Sequence, residues 1–319
     1  MSGEPAEPLT GENQGFRMCE EIQGIDVLLT GHQHRRLAAK VNGVTVVQPG
    51  FNGQAMAKVS VSFRYDQGEW VVSDKEAEII EIDDGIKTDD AILEAANEYE
   101  NETQKWLDQT IGEVVGNMTI RSPMEVRMAD HPLIEFINKV QMEAAGVDIS
   151  ATALFHNGSP GFPNKVTMRD IISNYVYPNT LSVIRISGQD IKDALEKCAS
   201  YFLLDKNRQV RVDPSFEKPK SQHYNYDMWE GIEYVLDISK PLGNRVVKLD
   251  YKGEQLDLTE EYDVVMNNYR AGGGGNFEMF SGKPVIREIQ TDMTELLAVF
   301  FQNHRPIHTS CNKNWRIIY

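Results

Sequence analysis

Two imidazoles carry the first chemistry legible in this chain. His32 and His34 stand in Gly31-His32-Gln33-His34, directly after the apolar run Ile25-Asp26-Val27-Leu28-Leu29-Thr30. The run predicts a buried strand, whose end holds a loop rigidly, and the glycine allows a tight turn, so both rings can address one ion. A lone His-x-His is more often a pair of loop histidines bonded to backbone. The preceding strand, and Pro49-Gly50 at the next strand end, favour metal ligation here. No Asp-x-His or Gly-Asn-His-Glu pattern lies in the thirty residues before Gly31, so the expectation is a metal site of which this chain supplies one part.

Two further segments have the residue types for ligand binding. Asn267-Asn268-Tyr269-Arg270-Ala271-Gly272-Gly273-Gly274-Gly275-Asn276-Phe277 follows a predicted strand. Four glycines allow a ligand close to the backbone, Arg270 offers a fork to phosphate or carboxylate, and Phe277 can present a ring face. A flexible surface loop with a structural arginine is the plainer alternative. Tyr175-Val176-Tyr177-Pro178-Asn179-Thr180 holds two aromatics at strand spacing, one of which should face out. If Tyr177 and Phe277 oppose one another they form a slot for a flat heterocycle, each stacked ring contributing about 1–3 kcal/mol; otherwise both rings are core.

The elements that must position these residues follow from period and punctuation. Strand-like stretches at 25–30, 45–47, 59–65 and 70–82 are broken by Asn42-Gly43, Asn52-Gly53 and Gln67-Gly68, which suit hairpins. A helix is expected over 12–22. Thr88-Asp89-Asp90 opens a helix to Gln109 with apolar residues at three-and-four spacing and an acidic opposite face, a connector between two composition regimes. Beyond it helices are expected at 132–145, 167–174, 188–200 and 293–302, and strands at 114–120, 151–155, 181–186, 232–238, 246–251, 262–266 and 315–319. Residues 207–227 read as polar and irregular. The fold class is mixed α+β and α/β.

Composition limits the partners. The 319 residues carry 48 acids against 32 bases, a formal charge of −16, a field that repels nucleic-acid polymers at long range while leaving room for a small anion held locally. Cys19, Cys198 and Cys311 are too few and scattered for a disulfide scaffold or a zinc ribbon. No run of 18 apolar residues and no charged-then-apolar leader opens or crosses the sequence, so a transmembrane segment is not expected.

The order of these motifs resembles the two-domain nucleotidase family, and most closely its 2',3'-cyclic-nucleotide 2'-phosphodiesterase/3'-nucleotidase branch. The resemblance rests on Gly-His-Gln-His at 31–34, the helix from Asp89, Ala153-Leu154-Phe155-His156-Asn157-Gly158, Tyr175 to Leu181, His223-Tyr224-Asn225-Tyr226-Asp227 with Gly231-Ile232-Glu233-Tyr234, and the glycine motif ending at Phe277. It covers nearly the whole chain. It implies residues 1–84 as the remnant of a metallophosphatase β-sandwich domain, 85–111 as a linker helix, and 112–319 as a layered α/β nucleotide-recognition domain. It further implies His32 and His34 as ligands of a two-metal centre (Mn, Zn, Mg or Ca), Tyr177 and Phe277 as the base-stacking pair, Asn157 as a polar contact to nucleoside, and Arg127 as a phosphate-binding arginine.

Two positions depart from the pattern. Gly161-Phe162 stands where 5'-nucleotidases carry an Ile-Arg that grips phosphate, leaving that grip absent or supplied by Arg270. Gly272 stands where the cyclic-nucleotide branch often has an aromatic. By the same resemblance the parent is an extracellular, cell-wall or periplasmic phosphoric ester hydrolase of nucleotide catabolism. The remaining carboxylate and histidine ligands lie upstream in the family, so this chain is expected to bind nucleoside or nucleotide without turnover. A non-enzymatic cell-surface interaction module and a regulatory nucleotide sensor are the alternatives; base preference and oligomeric state are open.

Overall fold

The structure, a computed structural model, describes residues 14–218 and 220–319. They form two compact units that divide between Asn97 and Glu98, inside a helix. No helix among the described residues is long and apolar enough to cross a membrane.

The first unit opens with α1 (Gly15–Glu21); residues 12 and 13 of the helix expected there lie outside the described residues. Strand β1 (Val27–Leu29) leads to β2 (Arg36–Val41) and β3 (Val44–Pro49), with β3 parallel to β1 and antiparallel to β2. Strand β2 was not expected from the sequence. It is made by the turn Asn42-Gly43, where both residues have positive φ (47° and 80°), the twist a two-residue hairpin needs. A long hairpin of β4 (Ala55–Asp66) and β5 (Glu69–Glu81) turns at Gln67-Gly68. The core of the unit is small, Cys19, Val41, Val44 and Val46 with Phe16, Ile25, Leu28 and Leu37 against them. Leu29, Phe63, Tyr65 and Trp70 stay exposed.

Helix α2 (Asp90–Leu107) buries none of its residues, although its apolar positions repeat as expected; the Asp89 carboxylate accepts from the amides of Ala91 and Ile92 at its start. In the second unit a five-stranded sheet runs in the order Asp227–Glu230, Ile149–Ala153, Glu261–Asn267, Leu181–Ser187, Val285–Ile289. All its neighbours are antiparallel except the central pair Ile149–Ala153 and Glu261–Asn267. The three inner strands are mostly buried, whereas the edge strand Val285–Ile289, which includes Arg287 and Glu288, is largely exposed.

The helices of this unit are α3 (Pro123–Met128), α4 (Pro132–Ala145), α5 (Met168–Asn174), α6 (Gly188–Ala199), the single turn α7 (Asn268–Ala271) and α8 (Met293–Asn303), of which α4, α6 and α7 pack against the sheet. Local sequence fixes their starts. Thr167 with Asp170, and Ser187 with Asp190, form reciprocal capping boxes, and Pro stands in the first turn of α3 and of α4. A four-stranded sheet contains Val246–Tyr251, Glu233–Asp237 and the C-terminal strand Trp315–Ile318. The segment before that last strand is gripped by carboxylates: Ser310 Oγ and the Asn312 amide donate to Glu135 at 2.5 and 2.6 Å, and the Lys313 amide donates to Asp130 at 2.9 Å.

Candidate functional site

The histidine loop is built from below by one glutamine. Gln48, fully buried on β3, places its Nε2 within hydrogen-bond reach of the Gly31 carbonyl (2.9 Å), Thr30 Oγ1 (3.1 Å) and Gln33 Oε1 (3.0 Å). Its Oε1 accepts from the Arg35 amide at 2.7 Å. The Gln33 amide donates to the Gly31 carbonyl at 2.9 Å across His32, whose φ is 69°, so His32 is the centre of a γ-turn. His34, also at positive φ, stacks on Phe51 at 4.6 Å and 16°. Both histidines are exposed, on a loop held at the Gly31 carbonyl and at the Gln33 and Arg35 amides.

Two imidazoles do not by themselves satisfy a divalent ion, and a two-metal centre needs bridging carboxylates about 3.5–4 Å between ions. Among the described residues the grouping of three potential ligands is Asp130, Glu135 and Cys311, in the second unit, and does not include His32 or His34. Glu135 there accepts from Lys139, Ser310 and the Asn312 amide, and the Cys311 thiol donates to Asp130 at 3.2 Å. Among the described residues, then, neither His32 nor His34 belongs to a grouping of three such ligands.

The expected aromatic pair is not the pair the fold brings forward. Tyr177 is 39% exposed while Tyr175 is buried, the one-in, one-out arrangement its spacing predicts. Phe277 is 0% exposed. Its ring stacks on Phe280 at 5.7 Å and the Arg270 guanidinium carbon lies 3.9 Å from its centroid. Phe277 thus has no face to offer a base, because Arg270 turns inward. The Arg270 Nε donates to Asp227 at 2.6 Å, Nη2 donates to the Tyr224 carbonyl at 2.8 Å, and Nη1 donates to the Gly274 carbonyl. Both members of this ion pair are about 2% exposed. Burial raises the Asp227 carboxyl above its ordinary range and the guanidinium opposes that rise. Arg270 is consequently a structural clamp, not a fork open to phosphate.

The ring of the glycine motif that reaches the surface is Tyr269, 48% exposed. Tyr224 lies between it and Tyr177, with centroids 5.9 Å from Tyr177 and 6.4 Å from Tyr269, both edge-on. The Asn268 amide donates to the Thr180 carbonyl at 2.9 Å, tying the two loops together. The glycines serve this arrangement. A Cβ on Gly274 would come within 2.6 Å of the Tyr269 ring, and one on Gly275, at φ +75°, within 2.0 Å of Asn225 Oδ1 and 2.5 Å of Arg270 Nη1. The backbone is approached closely, as expected, but by the protein's own side chains.

Beside the rings runs a polar chain. Arg127 on α3, 2% exposed, donates through Nη1 to Asn157 Oδ1 at 2.7 Å and through Nη2 to the Leu154 carbonyl at 2.9 Å. The Asn157 amide nitrogen lies 2.9 Å from His223 Nε2, and His223 Nδ1 lies 2.6 Å from the Tyr201 hydroxyl. Arg127 has no carboxylate partner among the described residues, and its Nε is buried without one. Its two terminal nitrogens both donate to protein acceptors, so the structure makes it a support for exposed Asn157 rather than a fork facing solvent. The 3-10 turn His223–Asn225 joins all three groups: His223 to Asn157, Tyr224 to the rings, and Asn225 Oδ1 to Arg270 at 3.2 Å. The sequence motif marks this segment but assigns its residues no roles. The sequence signal is the alternation of polar His223, Asn225 and Asp227 with Tyr224 and Tyr226; in the structure Tyr226 is buried with the polar residues and Tyr224 alone is half-buried.

A family profile described as "5'-nucleotidase, C-terminal domain" matches residues 111–282. The chain is 25% identical to the 2',3'-cyclic-nucleotide 2'-phosphodiesterase/3'-nucleotidase of Haemophilus influenzae, over 96% of this chain and 55% of that protein. It is 22% identical to a trifunctional nucleotide phosphoesterase of Bacillus subtilis, over 96% of this chain and 24% of that one. Among solved structures, a putative 5'-nucleotidase from Staphylococcus aureus, in complex with alpha-ketoglutarate, superposes with a TM-score of 0.83 at 36% identity, covering 99% of this chain and 61% of that chain. The chain thus spans only part of the length of the relatives it matches, about half of the Haemophilus protein.

Proposed function

The chain belongs to the 5'-nucleotidase C-terminal domain family, and on that premise we propose that its second unit recognises a nucleoside or nucleotide, the base stacking on Tyr177 and Tyr269 with Tyr224 between them. The observation that supports this most is the row of three tyrosines, of which Tyr177 and Tyr269 are more than a third exposed and stand on two loops that share a backbone hydrogen bond, with Tyr224 contributed by the turn His223–Asn225. Aromatic faces held open at a surface contribute about 1–3 kcal/mol per stacked base, and every base offers a π-face. Asn157, fixed by Arg127 on one side and His223 on the other, supplies the hydrogen-bonding edge.

The parent activity is hydrolysis of nucleotide phosphoesters, outside the cytoplasm in the cell wall, periplasm or medium. In this reading residues 1–84 are the closing part of a metallophosphatase domain, 85–111 the linker and 112–319 the recognition domain. His32 and His34 are two ligands of a metal centre whose other ligands this chain does not provide. No hydrolytic step is therefore assigned to its residues.

The test is a thermal-shift titration paired with a turnover assay. Adenosine and 2',3'-cyclic AMP should raise the melting temperature, as a ligand specific for the folded state must. The same chain with added Mn²⁺ should release no 3'-AMP, adenosine or phosphate. A flat melting temperature with every nucleoside contradicts the binding reading. Sustained turnover contradicts the incomplete centre.

A further inference from the structure

We infer that His223 is a positioning residue that sets which hydrogen bonds Asn157 offers to a ligand, and that protonating His223 switches this recognition off. The inference rests on the nucleoside reading above. It starts from Arg127, which can only donate, so the atom of Asn157 facing its Nη1 at 2.7 Å is the carbonyl oxygen. The carboxamide is thereby fixed, and the atom facing His223 Nε2 at 2.9 Å is the NH₂ group. An NH₂ needs an acceptor, so Nε2 carries no proton and the neutral ring holds its hydrogen on Nδ1, donating to the Tyr201 hydroxyl 2.6 Å away. One tautomer satisfies the whole chain. In it the second Asn157 amide hydrogen and the second lone pair of Oδ1 are left for a ligand.

Protonation removes the acceptor. Nε2–H then confronts the NH₂ of Asn157, and the amide cannot rotate to meet it without turning its NH₂ toward Arg127. The ionisable groups facing His223 are Arg127, Tyr201 and Glu217. Burial lowers the His223 pKa from its ordinary value, the Arg127 charge lowers it further, and Glu217 opposes them. The neutral, binding-competent ring is therefore favoured, and protonation comes at a lower pH than for an ordinary histidine.

The experiment measures adenosine affinity of the full chain from about pH 7.5 to pH 4.5, beside ¹⁵N shifts of the His223 ring. Affinity should fall roughly tenfold as the ring protonates, the scale of one lost hydrogen bond to an oriented group. The ¹⁵N shifts should show the Nδ1–H tautomer above that transition. His223→Gln, whose carboxamide oxygen takes the place of Nε2 as acceptor, should keep the neutral-pH affinity and lose the acid fall. An Nε2–H tautomer, or an acid fall unchanged in His223→Gln, overturns this inference alone. Absence of adenosine binding by the wild-type chain at every pH overturns the nucleoside reading, and this inference with it.

Discussion

Tyr269→Ala raises the dissociation constant for adenosine by roughly 5- to 150-fold, the range that corresponds to about 1–3 kcal/mol for one stacked base. Tyr177→Ala gives a loss of the same order. Neither ring supports the core to a comparable degree, since Tyr269 is 48% and Tyr177 39% exposed. The melting temperature of the unliganded chain should therefore move far less than the affinity. Isothermal titration of each variant measures the affinity, and a thermal melt of the unliganded variant measures the stability. A large loss for Phe277→Leu with none for Tyr269→Ala would return the stacking role to Phe277 and refute the arrangement of rings described here.

The second large effect is on stability. Arg270→Met leaves the Asp227 carboxyl, about 2% exposed, without the guanidinium that lies 2.6 Å from it. Removing one partner of a buried ion pair costs about 3–5 kcal/mol. For a unit of this size that lowers the melting temperature by roughly 6–20 °C. Arg270→Met combined with Asp227→Leu should recover part of the loss, because an apolar pair carries no uncompensated charge. A single variant that melts within about 2 °C of wild type would mean that the buried pair is not holding the turn Asn268–Ala271 to the segment 224–227.

These two results separate what the sequence discloses from what only the fold decides. Helix α4 was legible to the residue, because Pro132 opens it and Gly146, at φ +63°, closes it. The capping pairs Thr167 with Asp170 and Ser187 with Asp190 likewise announce α5 and α6 within their own turns. Strand β2 escaped notice because Arg36-Leu37-Ala38-Ala39-Lys40 has little β-branched content, and its pairing comes from β3 across the Asn42-Gly43 turn. Local chemistry marks ends and turns; partners supply the rest.

The site shows the same division at larger separation. That one of Tyr175 and Tyr177 faces out follows from strand spacing. Which ring of the glycine motif faces out does not, since Tyr269 and Phe277 differ only in where Arg270 goes. Arg270 is drawn inward by Asp227, 43 residues away in sequence, and its guanidinium then covers Phe277. Arg127 was expected to grip phosphate and instead holds Asn157 and the Leu154 carbonyl, a role set by the packing of α3 and by Tyr201 and His223. Gln48, which shapes the histidine loop, carries no motif at all; only its burial beneath Gly31 gives it a role.

The most direct test is a crystal of this chain soaked with adenosine. The account predicts purine density against the rings of Tyr177 and Tyr269, within hydrogen-bond reach of the Asn157 carboxamide, with Phe277 still covered by Arg270. Purine density stacked on Phe277 with Arg270 displaced, or density away from all three tyrosines, would contradict it.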